Sequence, residues 1–219
     1  MIKKLRTMSL RIASLSLFMA FTISSQAQSE GRELNVNVST DSENNVLVEA
    51  IDENMDVRVE VHDTGNGIFI GRTRFALEFS LSDMLNGPIN NLTIVGSREG
   101  DTIVLSSKFG LQGQRMPIRG DLNIDARNGF DSVVVSAVDV AGKASIRGRG
   151  QGDLIELLNV DLNEMFIGGG PGFDAISIRN TMASGRVAIS GGADFDNCRV
   201  ENSTFTGRLI LRIEQDCFQ

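Results

Sequence analysis

Beyond residue 27 the chain is written almost entirely in two-residue alternation: short runs of Val, Ile and Leu spaced by polar residues and bounded by Gly, Asn and Asp. Such runs predict half-buried β-strands joined by turns, because successive strand side chains point to opposite faces. No stretch sustains the 3.6-residue period of an amphipathic helix. The clearest unit runs from the strand Leu122-Asn123-Ile124 through the turn Asn128-Gly129-Phe130-Asp131 into the strand Ser132-Val133. It recurs around Asp101, Asp153, Asp174 and Asp196, and weaker copies put Asn44 and Asn66 at the Asp position. The intervals from Asn44 through Asn66, Asp101, Asp131, Asp153, Asp174 and Asp196 are 22, 35, 30, 22, 21 and 22.

A fixed period of this size, made of strands and turns, predicts an all-β solenoid, since no single repeat can bury its apolar face alone. Three short strands per repeat make one rung of a single-stranded parallel β-helix, of about seven rungs with a repeat of about 22 residues. The strand before the turn contributes inward pairs such as Leu92/Ile94, Leu122/Ile124, Met165/Ile167 and Leu209/Leu211; the strand after it contributes Ile103/Leu105, Val133/Val135 and Cys198/Val200. The two long intervals predict loops inserted near 82–90 and 108–120. A flattened β-sandwich is the alternative, disfavoured by the single dominant period.

Six residues after the turn Asp stand Asn159, Asn180 and Asn202, with Ser107 and Ala137 at the same place in earlier copies. Here the chain resembles the right-handed parallel β-helix family typified by pectate lyases, which implies a hydrogen-bonded Asn ladder along one corner. The likeness is architectural, and no catalytic motif of that family maps onto it. Gly169-Gly170-Pro171-Gly172-Phe173-Asp174-Ala175-Ile176 resembles the calcium-binding turn of RTX repeats, which implies Asp153, Asp174 and Asp196 as calcium ligands. Those repeats come about every nine residues, whereas these come every 21 or 22. The bland alternative is that each Asp accepts hydrogen bonds from the amides of its own turn.

The first 27 residues form a secretory leader: basic Lys3, Lys4, Arg6 and Arg11, an apolar stretch from Ile12 to Ile23, and small residues at Ser25-Gln26-Ala27. The mature part, 28–219, is then one β-helix domain with no transmembrane segment, secreted, periplasmic or at the cell surface. Losing four basic residues takes the net charge from −7 to −11, which argues against nucleic acid as a partner, since no cluster of Lys and Arg stands out in the sequence. With Trp 0 and Tyr 0, Phe is the only aromatic type available to a binding surface.

Candidate chemistry is sparse. Lys108, Arg115 and Arg119, near the inserted loops, would suit an acidic sugar. Asp139 and Asp161, one period apart, would extend an acidic column. His62, the only histidine, reads as a turn residue at a strand end and cannot make a zinc site alone. Phe130, Phe173 and Phe195 each precede a turn Asp and suggest an aromatic ladder covering the turn. Cys198 and Cys217, the only cysteines, predict a disulfide tying the chain end over the last rung. Three readings follow: an exported non-catalytic structural or interaction protein of the envelope or extracellular space with a cell-surface or polysaccharide partner, a β-helix polysaccharide lyase or hydrolase, or a calcium-stabilised RTX-like module. The first is preferred, because no catalytic constellation is legible.

Overall fold

The computed structural model describes residues 36–73, 76–107 and 114–212. Among the described residues it is all-β, with two extended sheets made mostly of parallel strands and one 3-10 turn at Leu81–Asp83. Among the described residues no helix is long and apolar enough to cross a membrane. The segment 1–27 expected to be a leader, Lys108 and Cys217 lie outside the described residues.

In the first sheet, Val46–Ala50, Leu92–Val95, Leu122–Asp125, Val138–Arg147, Asp161–Pro171, Val187–Ala193 and Leu209–Arg212 follow one another in parallel register. The second sheet stacks Arg58–Asp63, Thr102–Ser107, Ser132–Ser136, Leu154–Leu158, Ala175–Arg179 and Asn197–Glu201 in the same manner. Ile103, Val133, Ile155, Ile176 and Cys198 therefore lie opposite one another on consecutive strands, the alignment read from the sequence. All five are buried in one apolar cluster with Leu92, Ile94, Leu122 and Ile124 of the facing sheet. A third segment in each repeat, such as Val138–Val140, continues into the first-sheet strand through a register shift between Val140 and Lys143.

Several expectations are corrected. Asn44 and Asn66 are not early members of the Asp column. Asn44 sits in the turn of the antiparallel pair Val36–Thr40 and Val46–Ala50, and Asn66 in the turn between Arg58–Asp63 and Ile68–Thr73. The position opposite Asp101 is Val57, whose amide donates to the Asp101 carboxylate. Val46 pairs with Leu92 and Val59 with Ile103, steps of 46 and 44 residues. The excess holds an antiparallel extension, Ile68–Thr73 with Ala76–Ser80, hung on the edge of Arg58–Asp63, and within the loop expected at 108–120 Met116–Ile118 is instead a strand paired in parallel with Val138–Val140. Leu209 and Leu211 keep inward register but are 37% and 36% exposed, because no later described strand covers them.

Asn159, Asn180 and Asn202 do line one corner, but for a backbone reason. They adopt φ of 57°, 51° and 47°, and Ala137 at the same corner has 56°. Asn tolerates this left-handed region better than other residues with a Cβ. Backbone bonds join the corners, from the Asn159 amide to the Arg179 carbonyl and from the Asn180 amide to the Glu201 carbonyl. The Asn180 side chain is exposed rather than buried between partners.

Candidate functional site

The turn aspartates build an internal column. The amide of Val57 donates to Asp101 Oδ1 at 2.8 Å, that of Asp101 to Asp131 Oδ1 at 2.7 Å, and that of Asp131 to Asp153 Oδ1 at 2.9 Å. Asp153 and Asp174 repeat the pattern toward Asp174 and Asp196 at 2.8 and 3.1 Å. Each carboxyl thus reaches the backbone of the preceding repeat rather than only its own turn, so it clamps neighbours together. Asp101 alone also holds its own turn, accepting from the Ser97 amide and hydroxyl at 2.6 and 2.8 Å.

All five carboxyls are buried, between 2% and 3% exposed. Oδ2 of Asp131, Asp153 and Asp174 is buried with no hydrogen-bond donor. For Asp153 and Asp174 it packs against the chain five residues upstream, where a Cβ on Gly148 or Gly169 would collide with it, whereas the residue five before Asp131 is Ala126. Burial is the chief cause that pushes Asp131 up to about 8, Asp153 to about 7 and Asp174 to about 6, and it raises Asp101 as well. Neighbouring carboxylates add to the effect while the amide bonds oppose it. Beside Gly148 the Gly169 carbonyl, which is an acceptor only, borders the spot that Asp153 Oδ2 fills.

Asp153, Asp174 and Asp196, the sequence's calcium candidates, do share this column, one strand spacing apart. Their Oδ1 atoms are committed to amides, and among the described residues no group of three His, Cys, Asp or Glu is gathered as a metal site. A cation entering here would have to reach a row of residues only 2% to 3% exposed.

The surface carries a different constellation. On the outward face of the first sheet, a groove of about 630 Å³ runs across Val138–Arg147, Asp161–Pro171, Val187–Ala193 and Leu209–Arg212. Small residues such as Gly168, Ala188 and Ser190 make its floor, and Lys143, Arg147, Arg149, Arg186 and Arg212 line it. Arg149 is held by Asp125 at 2.5 Å. Among the described residues the other four have no carboxylate within ion-pair distance. Lys143 and Arg186 instead stand over the Phe166 ring, 5.7 and 5.3 Å from its centre. On a chain of net charge −7 this is a local reversal of sign, and neither spacing nor composition marks it, because its cations are scattered between positions 143 and 212, on two strands and in the segments beside strands.

No family model, curated protein or solved structure matches this chain.

The remaining sequence candidates fall elsewhere. Arg115 donates to the Asn159 carbonyl at 3.1 Å and side-chain oxygen at 2.8 Å and pairs with Asp161, so it braces the Asn corner instead of waiting for a sugar. Asp139 and Asp161 are in direct register as expected, and only Asp161 carries a cation partner. His62 lies within a strand, not a turn, and is buried. Its Nδ1 is 2.7 Å from Ser106 Oγ and its Nε2 2.9 Å from Glu60, which also pairs with Arg58. Both ring nitrogens are committed, leaving none for a metal. Phe130, Phe173 and Phe195 do not cover their turns; they project, 71%, 71% and 68% exposed.

Proposed function

We propose that this chain is an exported, non-catalytic interaction protein of the cell envelope or extracellular space, built as a parallel β-helix, and that its binding surface is the basic groove over Phe166. The parallel registers at steps of 21, 22 and 30 residues support the β-helix reading. The observation that carries the function is the set of four cations without carboxylate partners, gathered over a floor of small residues that leaves room for a ligand. Arg side chains present forked donors suited to carboxylate or phosphate oxygens. A lyase or hydrolase reading draws no support from Asp161, whose carboxylate is occupied by Arg115.

Retention of the leaderless chain on an immobilised polyanion tests the proposal. The protein should bind at low salt despite its net negative charge and elute as salt rises, because screening removes such contacts. The triple variant Arg147→Ala, Arg186→Ala, Arg212→Ala should flow through. Flow-through of the native chain, or retention of the triple variant, would refute the groove as a binding surface.

A further inference from the structure

Phe130, Phe173 and Phe195 occupy the same place in three repeats, immediately before the column Asp, and are the most exposed large apolar residues described. Packing does not ask for them. The equivalent residues beside Asp101 and Asp153 are Gly100 and Gly152, and the column is intact there. In the repeat with Gly152 an exposed apolar residue reappears two positions on, as Leu154, 46% exposed. Two of the aromatics adjoin the groove: Phe173 follows Gly170, and Phe195 follows Gly192, by three residues, and both glycines line it. Two projecting phenyl rings thus stand three residues along the chain from glycines that line a face whose cations lack carboxylate partners.

We infer that the anionic partner of this groove is a lipid bilayer, with the phenylalanine turn tips entering the interface while the groove's cations meet lipid phosphates; this rests on the groove being an anion-binding surface. A soluble polyanion would use the cations and leave the three rings in water. Flat sugar platforms are usually Trp or Tyr, whose polar edge suits a glycan, and both are absent. Phe has no polar edge and suits hydrocarbon. Peripheral attachment commonly combines an apolar insertion with a basic surface, because neither alone holds stably.

Co-sedimentation of the leaderless chain with vesicles tests this, using phosphatidylcholine alone and phosphatidylcholine containing one third phosphatidylglycerol. The native protein should sediment with the anionic vesicles and far less with the neutral ones, and binding should fall about tenfold as salt rises from ~0.05 to ~0.5 M. Phe130→Ser, Phe173→Ser, Phe195→Ser should lose vesicle binding about tenfold or more yet keep native retention on the polyanion matrix, since exposed side chains leave the fold intact. The cation triple variant should lose both. Retention on the matrix without sedimentation would overturn the lipid inference and leave the groove standing. Absence of both would overturn the groove as well, and native vesicle binding by the Phe variant would overturn the insertion of the rings.

Discussion

Asp153→Asn isolates one carboxyl of the buried column and replaces it with a neutral group of nearly the same shape. The amide oxygen of Asn still accepts from the Asp131 amide, the bond measured at 2.9 Å, while its NH2 takes the place of Oδ2 beside the Gly169 carbonyl. The folded chain holds the Asp153 proton up to about 7 against an ordinary value of 3.8. A folded-state value above the unfolded one means that the carboxyl's contribution is fully present below about pH 4 and is lost as pH rises to about 7. At about 1.4 kcal/mol per pH unit the loss has a ceiling near 4 kcal/mol, and relaxation around the site brings the expected figure to the order of 2 kcal/mol. The variant should therefore sit within about 1 kcal/mol of the native chain at pH 4 and gain on it by about 2 kcal/mol by pH 8. With Trp 0 and Tyr 0, denaturant unfolding is best followed by far-ultraviolet circular dichroism, at pH 4, 6 and 8. A difference in stability that does not change with pH, or a native chain that gains on the variant as pH rises, would refute the raised Asp153 carboxyl.

The remaining predictions use paired controls. Gly169→Ala drives a Cβ into the Asp174 carboxyl and should cost about 2 kcal/mol or more, whereas Gly168→Ala meets nothing within 4 Å and should stay within about 0.5 kcal/mol; equal midpoints in urea would contradict the packing of Oδ2 on glycine. Asn180→Val, at φ 51°, should lower stability by about 1–2 kcal/mol through backbone strain, and Asn180→Gly should be nearly neutral; equal thermal melts would contradict the corner geometry. Intact-mass analysis without reduction should show Cys198 and Cys217 joined in a disulfide, and two free thiols in freshly secreted protein would rule it out. Calcium and chelator should give melts within a few degrees of each other, because the column's amides already satisfy Oδ1; unfolding in chelator would instead mark a structural ion.

From Asp101 onward, the repeat was legible because period, inward alternation and the turn Asp all name the same frame, and the strand registers reproduce it. Upstream, the same signs misled. Asn44 and Asn66 look like turn residues of the repeat because they are turn residues, but of antiparallel hairpins, and Asn suits both kinds of turn. The place opposite Asp101 is held by Val57, which contributes only its backbone amide, so no side-chain pattern announces it. The function of the Asp column was half legible: spacing aligned the residues, but only the folded structure shows each carboxyl reaching the previous repeat. The groove was hidden for a different reason. Lys143, Arg147, Arg186 and Arg212 are spread over about three repeats of sequence, and an isolated cation on a strand carries no sign of whether a carboxylate lies beside it. His62 belongs with these, since Glu60 is two residues away on its own strand but Ser106 comes from the next repeat.

A crystal structure of the leaderless chain is the most direct test of the architecture beneath these claims. It should show the strands after Asp101, Asp131, Asp153, Asp174 and Asp196 stacked in parallel, about 4.8 Å apart, with each Oδ1 accepting from the amide of the preceding repeat. Antiparallel pairing of these strands, or aspartates turned out to solvent, would contradict both the column and the β-helix.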